Sequence, residues 1–305
     1  MIAPAPRYGD GERGFVIVAV LWLLAALAAL ALIFSAYLAN STRALALNDT
    51  ALQAEALVSA GVELTAYQLR LAADEARPAR GAFHTQLNRA ELSVSFVSEA
   101  ARIDLNAAPK ELLAGLLSVL GASVEDATQY ADRIIGWRTR ATQGSDNKEE
   151  ALYLAAGRSY SPRQAPFSHV NELGLVLGLP PALVERALPF VTVFSGAPTV
   201  DVLNAAPEVV AALPGMTPLV LKQFLNDRGS LPNDPSAIAT ALGGAKGSVT
   251  KQKNEAYRLR VRVRFPNGRE AASDVVISLS GDEDPYRVLS WQNDVVAQRR
   301  AAVQF

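Results

Sequence analysis

A run of 25 residues without a charge, Phe15 to Ala39, limits this chain more than any other feature. As a helix it would extend about 37 Å, more than the roughly 30 Å of a bilayer's hydrocarbon core, so it reads as a membrane segment. Arg7 and Arg13 precede it and Arg43 is the first basic residue after it, which mildly favours a cytoplasmic N-terminus. Three readings compete. A cleaved secretory signal has an apolar core of only about 7–15 residues, although Ala36-Tyr37-Leu38-Ala39 imitates a cleavage site. A plain single-pass anchor fits the hydropathy equally well. The third reading rests on the residues beyond Ala39: no Gly or Pro occurs from Phe15 to Ala60, and apolar residues continue at Leu57, Ala60, Leu64, Tyr67 and Leu71. Steps of three and four mark one amphipathic face, so the anchor and a second helical stretch are expected to form one rod.

Arg13-Gly14 before Phe15 and the unbroken helix RGFVIVAVLWLLAALAALA resemble the processing site of type IV pilin-like precursors. In that superfamily a prepilin peptidase cuts after the Gly and methylates the new N-terminal residue, which implies cleavage between Gly14 and Phe15 and N-methylation of Phe15. The form is most similar to the K-type minor pseudopilins of type II secretion systems. Most pilins carry Glu at the fifth residue after the cut, where this chain has Ala19; K-type subunits typically lack that Glu. An ionised carboxylate in a membrane or a packed helical fibre costs several kcal/mol unless paired, and pilins pair it with a neighbour's N-terminal amine. A subunit with no neighbour above it has no such amine, so Ala19 fits a position at a tip. An Ala there also suits any ordinary anchor.

The remainder divides where composition shifts. Arg77-Pro78-Ala79-Arg80-Gly81 carries the stop signals of the long helix. From Glu91 to Val97, Leu92, Val94 and Phe96 alternate with Ser93 and Ser95, as in a half-buried strand. The sequence Leu-Asn-Ala-Ala-Pro then occurs twice, at Leu105–Pro109 and 98 positions later at Leu203–Pro207. Each copy reads as a helix start with the Asn as cap and the Pro in the first turn. Asp104 to about Gly247 is otherwise helical in pattern, with a helix over Val124–Arg140 and another opened by Ser168, Asn171 and Glu172. Phe190–Phe194 interrupts as a short strand. Tyr257, Leu259, Val261, Val263 and Phe265 alternate with Arg258, Arg260, Arg262 and Arg264 before an Asn267-Gly268 turn. A hairpin to Val275–Ile277 comes next, then a strand over Tyr286–Trp291. Glu270 and Asp274 return across the turn at positions that neutralise the arginine stripe.

Chemistry is sparsely signposted. The chain has no Cys, and its two histidines, His84 and His169, lie far apart, which excludes thiolate zinc sites and disulfides and argues against catalytic zinc. There is no Gly-x-Ser-x-Gly, and Gly243–Ser248 lacks phosphate-loop spacing, so no enzyme is expected. With 29 basic and 30 acidic residues, overall charge does not draw the chain to nucleic acid. Leu213-Pro214-Gly215-Met216 approaches a helix-hairpin-helix turn, which keeps a membrane-anchored DNA-binding protein of the competence type as the alternative. It has only Lys222 and Arg228 nearby, and the first copy has Glu125 and Asp126 instead.

The resemblance extends over most of the chain, since K-type proteins contain a helical domain with such an opening. It implies an α+β fold: a pilin-like long N-terminal helix on an antiparallel sheet, with an inserted all-helical domain. The expected divisions are a leader at 1–14, a transmembrane stretch at 15–39, helix and first strands at 40–103, the insert at 104–250, with 190 as another place for its end, and C-terminal strands at 251–305. It further implies a single-pass bacterial inner-membrane protein with its C-terminal domain in the periplasm. The implied partners are I-type and J-type minor pseudopilins, the major pseudopilin, prepilin peptidase and the inner-membrane secretion platform, with no nucleic acid. K-type relatives bind calcium after a Trp-x-Asp-x-Asp segment. Here Trp137 is followed by Arg138-Thr139-Arg140, leaving Asp146, Asn147, Glu149 and Glu150 as donors where calcium takes six to eight oxygens. A solvated acidic loop is the expectation, with a retained calcium site as its rival.

Overall fold

The computed structural model describes residues 11–73, 76–140, 148–232, 234–243, 255–281 and 284–293. The chain divides into two compact units, Met1–Leu57 and Val58–Phe305. Helix α1 runs Gly11–Leu71. Within it Val16–Leu38 is long and apolar enough to cross a membrane, and its large side chains are exposed.

The second unit contains an antiparallel sheet of β1 (Arg80–Leu87), β2 (Ala90–Ser98), β5 (Ala256–Arg264), β6 (Glu270–Ser278) and β7 (Arg287–Asn293). These strands stand in the order β1-β2-β5-β6-β7. β2 and β5 bury alternate residues as the sequence alternation requires, with Leu92, Val94, Leu259, Val261 and Val263 inward. The β5–β6 loop turns at Phe265, whose carbonyl accepts from Gly268 N–H at 3.0 Å, and Gly268 takes φ 77°. That left-handed residue is what Asn267-Gly268 supplies. β1 is not marked by alternation in the sequence, because as an edge strand it only half-buries every second residue.

The α1 face that packs on this sheet differs from the expected one. Val58, Gly61, Val62, Thr65, Ala66 and Leu69 are buried, whereas Leu64, Tyr67 and Leu71 point outward, Tyr67 at 64% exposure. Small residues win because the helix lies close: a Cβ on Gly61 would come within 3.1 Å of Val261 and 3.2 Å of Val94. Each buried Val or Leu in this layer contributes about 1.5–3 kcal/mol. α1 also ends before the Pro/Gly signals, at Leu71, where Arg77 Nε donates to the Leu69 carbonyl at 2.9 Å.

Between β2 and β5 in sequence lie seven helices among the described residues. They are α2 (Lys110–Val119), α3 (Val124–Arg138), α4 (Lys148–Ala155), α5 (Pro181–Ala187), α6 (Pro207–Ala211), α7 (Pro218–Asp227) and α8 (Pro235–Ala241). A two-stranded parallel ladder, β3 (Ile103–Asp104) with β4 (Val191–Thr192), accompanies them. Their common core holds Leu112, Leu113 and Leu116 of α2, Ile134 of α3 and Val209 and Val210 of α6.

Neither Asn of the repeats caps a helix. Pro109 and Ala206 occupy the cap positions without side-chain bonds. The preceding aspartates organise the turns instead: Asp104 Oδ1 accepts from Asn106 N–H at 2.7 Å, and Asp201 Oδ1 from Leu203 N–H at 3.2 Å. Asn106 is thereby freed to pair with the Phe167 backbone in both directions, at 3.0 and 2.6 Å. The Ser168–Glu172 start is a 3₁₀ turn, Val170–Leu175, capped by His169 Nδ1.

The two repeats meet where α2 crosses α6. A Cβ on Gly115 would lie 2.1 Å from the Ala212 carbonyl oxygen. In an open helix Gly→Ala stabilises by about 1 kcal/mol, but overpacking against backbone costs about 1–3 kcal/mol. Gly115→Ala is expected to lower the melting temperature followed by far-ultraviolet circular dichroism; an unchanged or higher value contradicts this packing.

Candidate functional site

Glu149 and Glu150 stand in the first turn of α4, whereas Asp146 and Asn147 lie outside the described residues. Glu149 Oε2 receives Arg133 Nη1 at 2.9 Å, and its Oε1 is buried without a hydrogen-bond partner. Glu150 Oε1 receives the Ser161 hydroxyl at 3.3 Å. Trp137 Nε1 donates to Glu172 at 3.3 Å, and its ring packs among Tyr153, Tyr160 and Phe167. Burial in this cluster pushes the Tyr153 hydroxyl up to about 12, and that oxygen accepts from Leu177 N–H at 2.8 Å.

Arg138, the residue after Trp137, is turned to the backbone. Its guanidinium donates to the Leu105 carbonyl at 2.5 Å and the Ala108 carbonyl at 2.7 Å, closing the first Asn-Ala-Ala-Pro loop. Desolvation holds it below the ordinary arginine value. Among the described residues no three carboxylates or imidazoles gather as a metal group requires. Of the candidate donors, Glu149 pairs through one oxygen with Arg133 and Glu150 accepts from Ser161, while Asp146 and Asn147 lie outside the described residues.

Arg228 repeats the device in the second copy, donating to the Ala205 carbonyl at 2.8 Å. One of the two cations near the Leu213–Met216 turn is thus committed to the fold, and the α3 start is acidic, with Ser123 capping Asp126 N–H. This disfavours a phosphate-binding hairpin. Gly14 and Phe15 fall within the helical backbone of α1, while their side chains and residues 1–10 lie outside the described part.

A centre that the sequence does not announce lies at the end of β2. Glu99 is fully buried; Arg258 grips it with Nε at 2.8 Å and Nη2 at 3.3 Å, and Arg102 Nε stands 3.9 Å away. Thr192 of β4 donates its hydroxyl to the same carboxylate. Arg102 is held below the ordinary arginine value by burial first and then by repulsion from Arg258. One carboxylate so joins the sheet, through β5, to the helical segment, through β4. Asp104 works beside it, accepting from Ser195 Oγ at 3.1 Å and Gly196 N–H at 2.7 Å. The only sequence signal is a carboxylate inside the otherwise small and apolar Ser98–Ala101 stretch. Two of the other stripe arginines pair as expected, Arg260 with Asp274 and Arg264 with Glu270, each at 2.8 Å.

Calcium should alter stability little. Saturation at a hundredfold excess over Kd adds about 2.7 kcal/mol, and no such gain is expected without a cage. Melting temperatures in millimolar calcium and in excess chelator are expected to agree; an upward shift abolished by Glu149→Ala or Asp146→Ala reveals a working site.

Residues 86–196 match the family model of type II secretion system protein K. No curated protein sequence matches the chain. Among solved structures, the fold is similar to a chain in the crystal structure of the GspK-GspI-GspJ complex from the type 2 secretion system of enterotoxigenic Escherichia coli. The TM-score is 0.58 at 18% identity, covering 81% of this chain and 98% of that one. The family match spans β2, Glu99 with its partners Arg102 and Thr192, and the first Leu-Asn-Ala-Ala-Pro copy. Residues 86–196 thus resemble type II secretion system protein K in sequence, and the fold of the chain is similar to that of a chain of the GspK-GspI-GspJ complex.

Proposed function

We propose that this protein sits at the tip of the type II secretion pseudopilus, starts pseudopilus assembly and supports protein export across the outer membrane, without catalysing a reaction. The family match over residues 86–196 carries this reading. In it Val16–Leu38 anchors the chain once in the bacterial inner membrane, and the C-terminal part stands in the periplasm. Prepilin peptidase removes residues 1–14 and methylates Phe15, and residues 104–250 form an inserted helical domain. Ala19 supports the tip position, since no amine of a subunit above needs a carboxylate there. The outward Leu64, Tyr67 and Leu71 of α1 supply an apolar face for neighbouring helices.

The relative of similar fold assembles with GspI and GspJ, and by extension I-type and J-type minor pseudopilins are the immediate partners. The major pseudopilin and the inner-membrane platform come after them. The competence-type DNA reading is not favoured, because Arg228 bonds the Ala205 carbonyl. Detergent-solubilised full-length protein, mixed at micromolar concentration with the I- and J-type subunits of the same bacterium, is expected to co-elute with both. Separate elution of three folded proteins contradicts the tip assignment.

A further inference from the structure

A second feature of the junction is open to solvent. The strand register places Arg258 across from Val97, and Arg260 across from Ser95, on the face of the sheet away from α1. On β1, Arg80 stands across from Val97 and Ala82 across from Ser95. The short side chains of Ala82 and Ser95 leave a trough between the exposed edge arginine and the β5 pair. Arg102 and Asn204 of the helical segment close one end, and the resulting cleft measures about 600 Å³.

Its charge is unbalanced. Arg258 holds Glu99 through two nitrogens, and Arg260 holds Asp274 through two, at 3.1 and 2.8 Å. Arg102 has only the 3.9 Å approach to Glu99, a carboxylate already taken by Arg258 and Thr192. Arg80 is in no salt bridge among the described residues. Four guanidinium groups thus meet two carboxylates, and the two least satisfied, Arg80 and Arg102, both line the trough. An incoming anion relieves the repulsion that Arg258 and Arg260 exert on the partly buried Arg102.

We propose that this cleft captures an acidic peptide segment of a partner polypeptide, with Arg80 and Arg102 each taking a side-chain carboxylate. The same cleft already shows carboxylate recognition twice, in the two-nitrogen grips on Glu99 and Asp274, the geometry for which guanidinium is suited. Its wall is also partly apolar, with Val97 beside the arginines, which favours a peptide over a bare anion. It opens beside β1, the edge strand of the sheet, where an extended segment can approach. The proposal does not depend on the tip assignment.

The test is fluorescence anisotropy with full-length protein in an uncharged detergent and a labelled peptide alternating glutamate with leucine. Saturable, salt-sensitive binding is expected. Replacing the glutamates by glutamine, or introducing Arg80→Gln with Arg102→Gln, should weaken it about tenfold or more, as loss of a charge pair does. Arg262→Gln, on the same sheet face but outside the cleft, should leave affinity unchanged. Arg80 is exposed, so Arg80→Gln alone carries the test if thermal melting shows that the Arg102 variant is unfolded. Equal binding of the glutamine peptide, or full binding by a folded Arg80→Gln variant, overturns the proposal. So does arginine-dependent binding of inorganic phosphate or phosphatidylglycerol vesicles when the acidic peptide fails to bind.

Discussion

A carboxylate removed from water must be matched from several sides, and Glu99 is matched by both halves of the periplasmic architecture proposed for this protein. Arg258 comes from β5, Arg102 from the turn after β2, and Thr192 from β4 of the helical segment. Replacing a buried pair by apolar residues of the same volume is often neutral, but removing one member strands the other and costs about 3–5 kcal/mol. The placement of Glu99 therefore makes the sheet and the helices conditional on each other. The hydrogen bond from Asp201 N–H to the Ala100 carbonyl, 2.7 Å, brings the second repeat to the same turn.

This constraint explains why the helical segment repeats a design instead of merely filling space. Each Leu-Asn-Ala-Ala-Pro loop exposes carbonyls that no regular ladder satisfies, and each is closed by an arginine at the end of a later helix, Arg138 or Arg228. Unmet buried carbonyls are costly, so these cations are structural before they are anything else. The arginine that follows Trp137 then has a physical sense. Arg138 serves the loop that begins the domain, and Arg133 neutralises Glu149.

Much of the fold was legible because burial imposes a period. The alternation of β2 and β5 arises from side chains having one inward face, and the Asn267-Gly268 turn from the left-handed residue that Gly268 supplies. What was not legible depends on partners distant in sequence. α1 presents two apolar stripes, and only the close approach of Val94 and Val261 selects the one with Gly61 and Ala66. Asn106 reads as a cap until Phe167, 61 residues on, claims it. Glu99 looks like an ordinary acidic residue until Arg258, 159 residues away, is seen beside it. At the candidate metal segment, the departure from Trp-x-Asp-x-Asp, with Thr139 and Ala141 at the Asp positions, is plain in the sequence, but the turn of Arg138 toward the backbone is not.

On the proposed reading the helical part must stay fixed to the sheet, and the Glu99 junction meets that need. Hydrogen exchange of Glu99→Gln against the unaltered protein tests this most directly. The substitution keeps the shape but removes the charge that Arg258 and Arg102 face. Amides of β5 near Arg258 and amides around β3 and β4 are predicted to lose protection together, by a similar factor. Unchanged protection in both regions, or loss confined to one of them, would contradict the view that this carboxylate makes them a single cooperative unit.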